Sequence, residues 1–272
     1  MSQKTGTPLN ILVLVKHVPD VQFERHLLPN GHRLDRQDSV LSELDEYAIE
    51  AALALAESRG GEKGGNHVTA LTMGPAGAAN AVKKSLQMGA SAGVHISDAA
   101  LEGSDAGATS LVLATAIKHL GGFDVVLTGM ASTDAETSLV PAQLAERLGL
   151  AQLTNLSAVE LDDANIITAT RMGEDGAQTL SAPLPVLISV TDQANEPRYP
   201  NFRGILAAKK KKITTLSLAE LGIEASTVGT AGSGTRVLDA APHEPRSAGE
   251  IITDSGQAGL ALVDFLADAK LI

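Results

Sequence analysis

The chain has 272 residues, 44% of them apolar and 19% charged, with a formal net charge of -11; this allows a sizeable core and argues against a nucleic-acid binder, whose footprint is a broad basic face. Cysteine is absent, which removes disulfides, thiolate ligands and a thiol nucleophile and is compatible with the reducing, cytoplasmic location we expect. Aromatic residues make up 2% and Trp is absent, so the core is aliphatic and stacking platforms for single-stranded nucleic acid are excluded.

The start, MSQKTGTPLNILVLVKHVPD, carries a short apolar run that ends in Lys16 without a small-residue cleavage pattern, so it reads as a first strand over 10–17 and not as a signal peptide. Amphipathic and β-rich segments then alternate: helix 43–56, strand 67–73, helix 76–88, strand 93–96, helix 104–120, strand 124–128 and helix 139–148. Runs such as ILVLV and VVLT are apolar on both faces, which suits a parallel sheet covered by helices. The expected fold is an α/β doubly wound, mostly parallel sheet of the adenine-nucleotide-binding type. After Leu150 the rhythm changes. Strands at 155–161 and 166–171 flank the turn Asp162-Asp163-Ala164-Asn165 and predict a β-hairpin edge, followed by a strand at 185–191. Residues 192–208 read as a loop, 209–212 are four lysines, and 216–221 read as a short helix. Glycine, serine, alanine and proline dominate 227–256, a C-terminal extended arm with little core of its own, closed by a helical pattern at 257–269. The expected division is a nucleotide-binding domain at 1–226 and an arm at 227–272 laid across a partner. No apolar stretch is long enough to span a bilayer, so no membrane insertion is expected.

Phosphate-loop, GxGxxG and HExxH signatures are missing, and no GxSxG stretch forms the strand-to-helix elbow of a nucleophile. The seven histidines lack metal-ligand spacing; His67 and His95, at strand starts, read as surface or edge residues. The most informative stretch is the joint that follows strand 124–128 and enters helix 139–148: Gly129, Met130, Ala131, Ser132, Thr133, Asp134, Ala135, Glu136, Thr137, Ser138, Leu139 and Val140. In doubly wound sheets ligands sit at the carboxyl ends of strands, and a helix N-terminus offers free N–H groups to a phosphate. Ser138 is the expected cap, with Pro141 in the first turn. Asp134 and Glu136 would repel an anion and suit ribose hydroxyls or an adenine amino group instead. The same stretch also reads as an ordinary polar connection. Ser42, Glu43, Leu44 and Asp45 before the first helix, and Met73 in a tight turn, are further candidates; with the Gly129 loop they can ring one nucleotide. Lys209, Lys210, Lys211 and Lys212 form a local basic run suited to an anionic partner surface or to a solvated face. The residues alone thus leave a free-standing adenine-nucleotide sensor open beside a partner-bound subunit.

Four ordered segments, NILVLVKHVPD, LTMGPAGAANAVKKSLQMGAS, ITATRMGEDGAQTLSAPLPVLISVT and NEPRYPNFRGILAAKKKKI, resemble the β subunit of electron-transfer flavoproteins. The third carries that family's signature of a basic residue, an acidic-glycine cluster and a proline before an apolar strand. The resemblance implies a heterodimer with an α subunit that holds most of the FAD, while this subunit binds structural AMP and is an electron carrier without catalytic residues or metal. The complex would carry electrons from flavoprotein dehydrogenases, such as acyl-CoA dehydrogenases, to a membrane quinone oxidoreductase. By position, the implied AMP contacts are Leu14, Ser42 to Asp45, Met73 and the 129–140 loop. The implied docking loop is 190–212, with its anchor at Phe202, where the family more often has leucine. Asp134-Ala-Glu136 replaces the Asp-Asp-Asp or Asp-Gly-Asp of many members, which favours AMP over a second FAD. Val21 stands where some members have a tyrosine near the flavin, so contact with the flavin ring is left open.

Overall fold

In the computed structural model, which describes residues 7–29, 33–241, 244, 249 and 251–272, the ILVL run forms an interior strand of the large sheet. Asn10–Leu14 (β1) is hydrogen-bonded to a strand on each side. Its side chains alternate between two cores, Ile11 and Val13 in one and Leu12 and Leu14 in the other. A strand covered on both faces needs apolar residues at every position, which is why no polar alternation is visible there. His17–Pro19 (β2) and Ser39–Leu41 (β3) pair antiparallel as a separate ribbon. Glu43–Ser58 (α1), His67–Met73 (β4), Ala79–Met88 (α2), Ala92–Ile96 (β5), Ala106–Leu120 (α3), Val125–Gly129 (β6) and Val140–Leu148 (α4) follow. Ala48, Ile49 and Ala52 of α1 join Val82 and Leu86 of α2 in the first core. Val112 and Ala116 of α3 join Leu144 of α4 in the second. Helices therefore cover both faces, as the doubly wound expectation requires.

The chain continues through Ala151–Leu161 (β7), Ile166–Gly173 (β8), Gly176–Pro183 (β9), Val186–Val190 (β10), Phe202–Ala208 (α5), Ile213–Leu216 (β11), Leu218–Leu221 (α6), Gly229–Gly232 (α7) and Ala258–Asp268 (α8). The nine-stranded sheet has the order β11-β5-β4-β1-β6-β10-β7-β8-β9. From β11 to β7 all neighbours run parallel, and β8 and β9 add an antiparallel edge.

Several elements differ from expectation. The edge has a third strand, β9, whose residues are mostly exposed and so carry little apolar signal. The 192–208 segment contains α5, because the Asn201 side chain caps it by accepting from the Gly204 N–H at 2.9 Å. Gly204 lets that helix approach α2 closely; a Cβ there would lie 2.5 Å from the Gln87 carbonyl oxygen. The 216–221 helix is shorter than expected, with β11 ahead of it and a Ser217/Glu220 capping box at its start. Ser138 does not cap α4. It lies at φ +51°, and Leu139 takes the cap position without a side-chain bond.

Residues Met1–Leu238 and Asp239–Ile272 form two units. The first unit runs past residue 227 because Val228 is fully buried and the following turn is tied to the start of α3. The Ser233 hydroxyl accepts from the Asp105 N–H at 2.9 Å, and the Thr235 N–H donates to the Asp105 carboxylate at 3.0 Å. In the second unit, α8 buries no residue and exposes Leu260, Leu262, Val263 and Phe265. No helix among the described residues is long and apolar enough to cross a membrane.

Candidate functional site

From β1 the chain steps outward to β4 and β5, then returns to add β6 on the other side of β1. The direction of winding reverses between β1 and β6, and a crevice opens at such a switch point beyond the strands' carboxyl ends. Two segments leave the sheet there: Val15-Lys16 after β1, and the 129–140 loop after β6.

The start of α1 closes against both. The Ser42 N–H donates to the Lys16 carbonyl at 3.0 Å, and the Lys16 N–H donates to Asp45 Oδ2 at 2.7 Å. Asp45 is buried, and its carboxyl is pushed up to about 7 by that burial, against the opposing backbone hydrogen bond and charge of Lys16 and the backbone hydrogen bond of Gly129. Gly129 makes this fit possible, since a Cβ would meet Asp45 Oδ1 at 2.8 Å and the Leu44 carbonyl oxygen at 2.9 Å. The loop itself is fixed by charge. Asp134, whose side chain is 1% exposed, takes Lys16 Nζ at 2.9 Å on one oxygen and Arg36 on the other. Burial would raise the Asp134 carboxyl, but the Lys16 charge and hydrogen bonds from Ser132, Arg36 and Lys16 outweigh it and hold the group well below the usual range. Two cations thus face one fully ionised carboxylate. Further along, Glu136 and Ser138 have φ of +49° and +51°, left-handed backbone that is uncommon for side-chain-bearing residues.

Buried polar atoms are normally paired. Five described side-chain atoms are buried without a partner, and four of them, Ser42 Oγ, Thr72 Oγ1, Thr133 Oγ1 and Gln143 Oε1, belong to residues at these strand and helix ends. Neither Ser42, at the cap position of α1, nor Leu139, at that of α4, makes a side-chain cap. Hydroxyls without partners, two helix starts without side-chain caps and the neighbouring Lys16 and Arg36 cations form a donor set that suits a nucleotide monophosphate.

The structure gathers Ser42, Glu43, Leu44 and Asp45 with Gly129 to Asp134. Leu14 and Met73 end the neighbouring strands β1 and β4, but both side chains pack into the second core. Ala135 to Leu139 are exposed. Asp134 engages Lys16 and Arg36, so its carboxylate shapes the loop. Sequence reasoning missed Lys16, Arg36, Thr72 and Gln143. Lys16 was findable, because it is the first polar residue after the central strand; Arg36, 98 residues before Asp134, left no such signal. His95 is buried inside β5, with Nε2 3.0 Å from the Gly74 carbonyl, and is a core histidine, not a surface one.

The expected docking residues lie apart from this crevice. Phe202 opens α5 and is 74% exposed; Tyr199, missed in sequence, is 90% exposed. Lys209, Lys210 and Lys212 are exposed, whereas Lys211 donates to the Ala90 carbonyl at 2.6 Å and fastens the run to the main body. Val21 is 44% exposed.

Residues 33–221 match the electron transfer flavoprotein domain. The chain is 44% identical over 265 residues to electron transfer flavoprotein subunit beta of Mycobacterium tuberculosis, a similarity that covers 97% of this chain and 99% of that protein. It is 34% identical over 264 residues to the subunit of the same name from Megasphaera elsdenii, covering 94% and 96%. With caffeyl-CoA reductase-Etf complex subunit CarD of Acetobacterium woodii it shares 33% identity over 268 residues, covering 97% and 100%. A domain match over more than half of the chain, joined to end-to-end identity of this level, settles the relationship: the chain belongs to the β-subunit family of the electron-transfer flavoproteins.

Proposed function

We propose that this chain is the β subunit of a heterodimeric electron-transfer flavoprotein that carries electrons from flavoprotein dehydrogenases, such as acyl-CoA dehydrogenases, to a membrane quinone oxidoreductase. The FAD, held mainly by the α subunit, supplies the redox chemistry. This chain contributes no acid, base or nucleophile; it holds a structural AMP and docks the donor. The observation that carries the AMP assignment is the set of partnerless buried groups at the crevice. Ser42, Thr72, Thr133 and Gln143 would pair with the nucleotide's polar atoms, and Lys16 and Arg36 would offset its phosphate charge. The 129–140 loop would shield the nucleotide from water. Phe202, Lys209, Lys210 and Lys212 would meet the donor, an exposed aromatic beside cations being a good anchor. The C-terminal arm would pack on the α subunit, since α8 has an apolar surface and no core.

The test is co-expression with the α subunit. A yellow complex that is bleached by an acyl-CoA dehydrogenase and its substrate is expected. A chain that stays separate from the α subunit, or a complex without flavin, would refute the proposal.

A further inference from the structure

We propose that Arg198 is the positioning residue of the docking loop: by clamping two carboxylates of α1, it holds Tyr199 and Phe202 outward in the geometry a dehydrogenase meets. The inference rests on the docking role proposed above.

The segment between β10 and α5 has almost no core of its own, yet it is tied down over two turns of a rigid helix. Glu50 and Glu57 are seven residues apart on α1 and so share one face. The Arg198 fork spans them. Its Nε donates to Glu50 Oε2 at 2.7 Å and its Nη2 to Glu50 Oε1 at 2.8 Å; Nη1 and Nη2 donate to the two oxygens of Glu57 at 2.6 and 3.0 Å. The Arg198 backbone N–H adds a fifth bond, to Glu50 Oε2 at 3.1 Å. One guanidinium thus makes two bidentate pairs, a geometry that a lysine ammonium cannot reproduce. A turn earlier on α1, the Tyr47 carbonyl accepts from Asn195 Nδ2 at 2.9 Å. On the other side, the Asn201 cap starts α5 against α2. Pro197 and Pro200 restrict the backbone between these anchor points. Arg198 is drawn inward and Asn201 is fixed, so the residue between them that is free to project is Tyr199, 90% exposed, followed by Phe202 at 74%. In a chain with two Tyr and four Phe, two aromatics exposed three residues apart are held at the surface against the hydrophobic effect. Holding them there before contact removes an ordering cost from docking.

The clamp was not legible in sequence because Glu50 and Arg198 are 148 residues apart. It differs from a surface ion pair of negligible effect because the Glu50 side chain is 13% exposed and the pairing is bidentate.

The test uses the assembled heterodimer with its cofactors and a dehydrogenase that reduces the wild-type complex. Arg198→Ala should raise the KM for the complex about tenfold, the effect of losing preorganisation in an otherwise intact interface. The kcat and the FAD and nucleotide content should stay unchanged. Arg198→Lys should fall between, and the Glu50→Gln/Glu57→Gln double variant, which keeps side-chain shape, should match Arg198→Ala. A readout independent of the donor is hydrogen exchange, which should quicken over residues 195–205 only. An unchanged KM with unchanged exchange overturns the proposal, as does a parallel loss of kcat and cofactor content, the signature of a merely structural role. Phe202→Ala separates the two claims. If it raises KM while Arg198→Ala does not, the clamp alone is wrong; if neither variant alters transfer, the docking reading falls with it.

Discussion

Replacing Asp45 with Asn tests the electrostatics of the crevice through the sign of a pH effect. In the folded chain the Asp45 carboxyl is pushed up to about 7 from 3.8, chiefly by burial. Between these two values the unfolded chain has released the proton and the folded chain has kept it, so stability falls as pH rises and levels off above about 7. A shift of about three units corresponds to about 4 kcal/mol at 1.36 kcal/mol per unit. Asn cannot ionise and removes that slope. Its amide NH2 also replaces a carboxyl oxygen which, protonated or not, can accept one of the backbone N–H groups of Lys16 and Gly129; this sets two donors against each other and costs about 1–3 kcal/mol. The variant should therefore be less stable than wild type at pH 4 and more stable at pH 8, the difference moving by about 4 kcal/mol across the range. Urea denaturation of the full-length chains at half-unit pH steps measures it. A difference that stays constant from pH 4 to pH 8 would refute the assignment of a buried, proton-retaining Asp45.

Gly129→Ala places a Cβ 2.8 Å from Asp45 Oδ1 and 2.9 Å from the Leu44 carbonyl oxygen, an overpacking worth about 1–3 kcal/mol. Thermal unfolding should show a melting temperature about 3–10 °C lower, with weaker retention of adenine nucleotide, and an unaltered melting point would show that the close approach is not needed. Deleting residues 239–272 should leave the first unit folded, because neither core includes a residue beyond Val228. The same deletion should abolish co-purification with the α subunit. Intact assembly of the truncated chain would remove the arm from the interface.

Much of this architecture could be read in advance because the central strands are covered on both faces. That condition leaves continuous runs such as ILVLV and VVLT, and the helices between them carry a matching apolar stripe. Where burial is one-sided or slight, the signal fades. The eight residues of β9 are mostly exposed, and β2 and β3 have three residues each. In β11, which follows the lysine run, two of the four residues are exposed threonines. Within the crevice, the loop from Gly129 was visible as a strand-to-helix joint. Its internal electrostatics were not, because Lys16 and Arg36 reach Asp134 from 118 and 98 residues away. Likewise Ser42 looks like an ordinary cap in sequence, and only the structure shows that its hydroxyl caps nothing.

We propose a subunit that holds one structural adenine nucleotide beside a partner that holds the flavin. Denaturing the purified heterodimer and identifying the released nucleotides by mass spectrometry tests this most directly. One FAD and one AMP per heterodimer is the predicted result. FAD alone, or two FAD per heterodimer, would contradict it.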